Sequence, residues 1–158
     1  MKTKGIIMVL AVILFACGGN DKQPPGTTAK APKKEEKKER MSFEEAKANW
    51  QDIKGVGPID NVELGEVDQQ LAEEGKQIFE LKCSACHQVE KEKIGPEMAG
   101  ITDRRTPEWI MNMILNPEKM VKEDPIAYGL LAEYATMMAN QNLKEEEARK
   151  ILEYFRTI

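Results

Sequence analysis

The stretch CSACHQ, residues 83–88, gathers the chain's only histidine and two of its three cysteines. Two thiols and an imidazole at this spacing have few chemical uses. Structural zinc takes four protein ligands as a rule, and here only Cys83, Cys86 and His87 stand together, with Cys17 far upstream. A thioredoxin-like dithiol needs a βαβ setting and has no use for the adjacent imidazole. A disulfide accounts for the cysteines and leaves His87 idle. C-x-x-C-H is the spacing of covalent haem attachment: the thiols add to the two vinyl groups, and the next residue's imidazole is thereby placed under the iron. A Ser-His-Asp triad is excluded, because the one histidine is committed. Runs such as Glu44-Glu45 and Glu145–Glu147 read as helix first-turn charge rather than acid–base pairs.

The elements that must position these groups are helices. Asp68 to Lys82 places Leu71, Gly75, Ile78, Phe79 and Lys82 at spacings of three and four and runs directly into Cys83. Thr106 can cap a second helix, with Pro107 at its first position and Glu108 in its first turn. That helix buries Trp109, Ile110, Met113 and Ile114 and stops before Asn116-Pro117. Leu143 to Arg156 is a third, with Ala148, Ile151, Leu152 and Phe155 on one side. A shorter helix is expected from Ala127 to Tyr134. Strand signals are nearly absent, so the expected fold class is all-α. The irregular connection from Glu90 to Asp103 asks for something large to pack against.

Upstream of these helices the sequence changes character. Met1 to Ala16 reads as an export signal, with Lys2 and Lys4 ahead of the apolar run Ile6 to Ala16. That run is too short to cross a bilayer, which takes about 20 residues. Leu14-Phe15-Ala16-Cys17-Gly18 resembles the bacterial lipoprotein signal, which implies lipid on Cys17 and a periplasmic, membrane-anchored protein. The alternative is an ordinary secretory signal with an incidental cysteine; both export the chain. Residues 17–40 lack apolar periodicity and read as a flexible linker. Residues 41–67 form an N-terminal extension, in which Ser42 and Glu45 have capping-box spacing and Phe43, Trp50 and Ile53 are the expected contacts with the main domain, 68–158. From Met41 onward there are 14 basic and 23 acidic residues, a net of nine negative charges. Such a body repels nucleic acid and favours basic partners.

Three blocks, in order, resemble the small class I cytochromes c across Asp68 to Thr157. They are Gly75-x-x-x-Phe79-x-x-x-Cys83-x-x-Cys86-His87, then Ile94-Gly95-Pro96-Glu97-Met98-Ala99-Gly100, then MANQNLKEEEARKILEYF from Met138 to Phe155. The resemblance implies the cytochrome c fold around one covalent haem c, with thioethers at Cys83 and Cys86 and His87 as the proximal iron ligand. It implies that the Pro96 carbonyl accepts the hydrogen bond that orients that imidazole. It puts Gly75 and Phe79 where the first helix crosses the last, to be met by Tyr154 or Phe155. It places the sixth ligand just ahead of the last helix, at Met138 with Met137 as the alternative, although Ala139 stands where Pro is usual. Trp109 belongs either near a haem edge or in the core.

His/Met ligation fills both axial positions and raises the reduction potential. The function implied is therefore an electron carrier, not an enzyme. Its expected partners are a respiratory donor and a terminal reductase or oxidase. The region from Trp109 to Phe155 also resembles a family from Bacteroidetes-type bacteria, which adds nitrous oxide reductase to the implied partners. Two other functions stay open: a haem enzyme or gas sensor with a labile Met ligand, and a fixed subunit of a respiratory complex docked through residues 41–66.

Overall fold

The computed structural model describes residues 41–158. The expected signal, Cys17 and the linker lie outside the described residues. Those described belong to one compact unit, built from six α-helices and no strands.

Two helices form the frame. α2 (Gln69–Lys82) starts at Asp68, whose carboxylate accepts the Gln70 and Leu71 backbone N–H groups at 3.0 Å each, satisfying donors that the first turn leaves free. α6 (Glu145–Phe155) starts where the Glu147 carboxylate accepts the Lys144 N–H at 2.9 Å. The two cross at Gly75, where an added Cβ would stand 1.9 Å from the Lys150 carbonyl oxygen. Only a residue without a side chain lets the backbones approach this closely. One turn further on, the Phe79 ring meets both Tyr154 and Phe155, with centroids 5.6 and 5.7 Å away.

Three prolines set the middle of the chain. α3 (Pro107–Leu115), α4 (Pro117–Glu123) and α5 (Pro125–Tyr134) each begin on one. Proline lacks an N–H that the first turn would not use, and its φ suits a helix. It also pushes the preceding residue out of helical geometry, and Asn116 and Asp124 both take non-helical dihedrals. Asn116-Pro117 therefore interrupts the helix for one residue instead of ending the helical region. α4 is a helix the sequence pattern did not indicate, and Met120 lies fully buried within it. α5 begins at Pro125, two residues earlier than expected, because Asp124 caps it through Ala127 N–H at 2.8 Å. Met113 is half-buried on the inner face of α3 rather than closed in the core.

The N-terminal stretch, with α1 (Phe43–Ala48), is bound by buried polar groups of α3. Ser42 caps α1 through the Glu45 N–H at 3.2 Å. The Asn112 amide, 1% exposed, accepts the Ile59 N–H and donates to the Lys54 and Ile59 carbonyls at 3.0 and 2.8 Å. Glu108 accepts the Val62 N–H at 3.1 Å and meets Lys54 Nζ at 3.3 Å. Phe43, Trp50 and Ile53 pack against the core, and the Phe43 ring lies where a side chain at Gly129 of α5 would otherwise stand.

Candidate functional site

The site grows out of the end of α2. The Cys83 N–H closes the helix on the Phe79 carbonyl at 2.8 Å, and the Cys86 and His87 N–H groups turn back to the Cys83 carbonyl at 3.0 and 2.9 Å. Cys86 then accepts the Ile94 and Gly95 N–H groups at 3.1 and 3.0 Å. Met98 and Ala99 donate to Gln88 and Val89, so the loop from 88 to 99 is folded back on itself by its own backbone. Its fold puts Gly95 against the imidazole: a Cβ there would be 2.5 Å from His87 Cε1.

His87 Nδ1 lies 2.9 Å from the Pro96 carbonyl oxygen. A carbonyl only accepts, so Nδ1 carries the proton and Nε2 keeps the lone pair that can ligate a metal. Cys83, Cys86 and His87 line one cavity of about 390 Å³. Phe79, Ile110, Ile114, Leu130 and Ile151 make much of its apolar wall, and Phe43 and Lys47 of α1 reach it as well. Met137 and Met138 both line it; Met137 is 51% exposed, and Met138 is half-buried.

Burial pushes the Cys83 thiol up to about 11, against the pull of the neighbouring Lys82. A nucleophilic redox cysteine needs the opposite shift. Neither thiol is in a disulfide, and among the described residues no cluster of three or more His, Cys, Asp or Glu is arranged to hold a metal ion. The dithiol and zinc readings therefore lose their support.

Trp109 lines the cavity with its ring, and its Nε1 donates to Asp124 at 3.0 Å. It is thus both core and cavity wall, with its polar edge turned to α5. Tyr134 closes another side, donating to Glu92 at 2.7 Å; burial and that carboxylate raise its pKa. Arg104 donates to the Ala99 and Glu97 carbonyls at 2.6 and 2.7 Å and meets the Glu97 carboxylate at 3.2 Å, bracing the Gly-Pro loop. The adjacent Arg105 also lines the cavity. Sequence reasoning passed over both arginines, and over Phe43 and Lys47 as wall residues. An Arg-Arg pair beside a helix cap in an acidic body was the available signal.

The residues present suit a haem: two free thiols, a histidine with Nε2 free, a glycine cradle for its ring and an apolar wall. An all-helical fold with C-x-x-C-H on the wall of such a cavity defines a c-type haem protein. The family model described as Cytochrome c matches residues 72–158, and the chain belongs to that family and carries covalent haem c. It is similar to the cytochrome c from Rhodothermus marinus, at 46% identity over 64% of this chain and 88% of that one, with a TM-score of 0.63. An engineered form of that cytochrome, Rma TDE, matches at 45% identity over 64% and 89%, with a TM-score of 0.62. The same engineered form bound to a carbene intermediate matches at 46% over 64% and 88%, with a TM-score of 0.60. No curated protein matches the chain.

Proposed function

We propose that the protein is a carrier of single electrons, with its haem iron held between His87 and Met138. Haem, once attached, supplies a one-electron couple; the protein's own groups hold it and set its potential. The observation that carries the reading is the His87–Pro96 bond at 2.9 Å, which fixes the imidazole with Nε2 free beside the two thiols. Met138 is favoured over Met137 by its lower exposure and by its place ahead of α6. With His87 and Met138 both holding the iron, small ligands would find no open coordination site, and electron transfer would be the chemistry that remains.

The proposed setting is the periplasmic face of a membrane, with lipid on Cys17 and residues 17–40 as a tether. The partners proposed are a respiratory donor and a terminal reductase or oxidase, nitrous oxide reductase among them. Tethering raises the effective concentration at membrane-bound partners, and the nine net negative charges after residue 40 favour basic docking faces. Metabolic labelling with palmitate, comparing wild type with Cys17→Ser, tests the anchor: label on wild type alone is expected, and label on neither excludes it.

A second reading, a haem enzyme or gas sensor with a labile Met ligand, draws on the segment between α5 and α6. It contains no proline and holds Ala135 and Asn142 at positive φ. Optical spectra of the haem-loaded protein separate the two. A low-spin spectrum with the sulfur-to-iron charge-transfer band, unchanged by carbon monoxide in the reduced state, is expected of the carrier. A shift on adding carbon monoxide replaces it with the second reading.

A further inference from the structure

Two loops line the cavity, and they are fastened very differently. The loop from 88 to 99 is held by its own backbone, by Arg104 on the Ala99 and Glu97 carbonyls, and by Lys93 Nζ on the Ser84 carbonyl at 3.1 Å. The loop from 135 to 144 carries Met137 and Met138. Among the described residues, none from 135 to 143 takes part in a backbone–backbone hydrogen bond. Gln141 donates to the Ala139 carbonyl and Asn140 accepts the Asn142 N–H, both within the loop. The side-chain bond that leaves it runs from Asn140 to the Leu115 carbonyl, at 3.4 Å. Ala135 and Asn142 hold positive φ, at 50° and 53°, a conformation that side chains disfavour. A loop so loosely tied has many conformations open to it, and only some of them put a thioether on the iron.

The fastening comes one residue before the loop begins. Tyr134 is the last residue of α5, and its hydroxyl donates to Glu92 Oε1 at 2.7 Å, across 42 positions of sequence. The acceptor belongs to the well-fastened loop, inside the segment that the His87–Pro96 bond closes. Tyr134 is half-buried on the cavity wall, and Glu92 is exposed on the same wall. Burial and that carboxylate raise the tyrosine's pKa, so the hydroxyl keeps its proton and donates. A separation of 2.7 Å falls in the range of hydrogen bonds to an ionised acceptor, which are stronger than neutral ones.

We propose that the Tyr134–Glu92 bond is a clasp that joins the methionine loop to the histidine loop and keeps the methionine on the iron. The proposal rests on the reading that a methionine of this loop ligates the haem iron, whichever of the pair it is. Tyr134 is a positioning residue and acts through the loop that follows it. With the bond closed, the start of that loop moves with the histidine side, and the thioether stays within reach of the metal. With the bond open, the loop hangs between α5 and α6 with the Asn140 contact to steady it, and the thioether leaves more often.

The test measures how often the methionine lets go. Haem-loaded ferric protein is mixed with imidazole; where a protein ligand must leave first, the observed rate climbs with imidazole concentration to a ceiling set by that departure. Wild type is compared with Tyr134→Phe, Glu92→Ala, Glu92→Gln and the double variant Tyr134→Phe/Glu92→Ala. In each of Tyr134→Phe and Glu92→Ala the ceiling is expected to rise about tenfold, the lower end for a hydrogen bond to a charged group because the acceptor is open to water. The double variant is expected to rise no further, since both changes remove the same bond. Glu92→Gln loses the charge but keeps an acceptor, so its ceiling should stay nearer wild type; a value equal to that of Glu92→Ala overturns the clasp. Single-variant ceilings that match wild type also overturn it, as does a double variant at the product of the two, about a hundredfold. A bond with only a structural role would lower the unfolding midpoint and leave the ceiling where it was. A wild type with no ceiling and no sulfur-to-iron charge-transfer band refutes methionine ligation itself and the clasp with it, so the two failures are told apart. Should Tyr134→Phe fail to take up haem, Glu92→Ala, at an exposed position, carries the same expectation.

Discussion

Met137 and Met138 differ by one step of backbone, and that step separates an exposed thioether from a half-buried one on the same cavity wall. If Met138 ligates, Met138→Ala leaves the iron one ligand short. The charge-transfer band then disappears and the reduced protein binds carbon monoxide, whereas Met137→Ala keeps the wild-type spectrum. The opposite pattern assigns the ligand to Met137. At this scale the sequence spoke clearly wherever partners are close along the chain. Cys83, Cys86 and His87 fall within one turn, and Pro96 is nine residues from His87. Groups that meet only after folding were silent. Nothing in the sequence pairs Trp109 with Asp124, or shows that Arg104 is satisfied while its neighbour Arg105 is not.

The element scale is governed by contacts between helices. Gly75→Val puts a branched side chain where the Lys150 carbonyl stands 1.9 Å from the first added carbon, so α2 and α6 must separate. A loss of about 1–3 kcal/mol is expected for such overpacking, read from denaturant unfolding of protein with full haem content; an unchanged midpoint denies the crossing its role. Glu108 offers a second test, on the bond between α3 and the N-terminal stretch. Burial pushes its carboxyl up, but hydrogen bonds from backbone N–H groups, Val62 among them, and the nearby Lys54 outweigh this, and its pKa is lowered. A carboxyl with a depressed folded pKa adds stability above its unfolded value, about 4.3, and loses it as pH falls through the folded value. Glu108→Gln should therefore be less stable than wild type at neutral pH, with the difference vanishing in acid; a difference that persists there contradicts the linkage. The helices were legible because apolar spacing and caps are local, as at Asp68 and Thr106. α4 was not, since Asn116-Pro117 is equally a stop and a restart. The seat of residues 41–66 was hidden because Asn112 and Glu108, the groups that hold it, look like ordinary polar residues of a helix.

For the whole molecule, the cavity is a structural debt that the haem settles. Every helix except α4 was expected from the sequence, yet what the helices enclose is about 390 Å³ of space lined by side chains from all six of them together with the Gly-Pro and Met loops. Unfilled, that space leaves apolar walls such as those of Ile110, Ile114 and Ile151 without packing partners, and the net stability of a typical domain is only about 5–15 kcal/mol. Helix formation depends less on the cavity, because the caps at Asp68, Thr106 and Asp124 and the α2–α6 crossing are built from protein alone. The chain with Cys83→Ala and Cys86→Ala, produced without attached haem, is thus expected to keep much of its helical far-ultraviolet signal while losing near-ultraviolet structure and a cooperative thermal transition. The haem-loaded protein, measured beside it, should melt in one sharp step. A haem-free chain that melted as cooperatively, and within a few degrees, would mean that the helices close the cavity on their own, and that the haem is a passenger in the fold rather than part of its core.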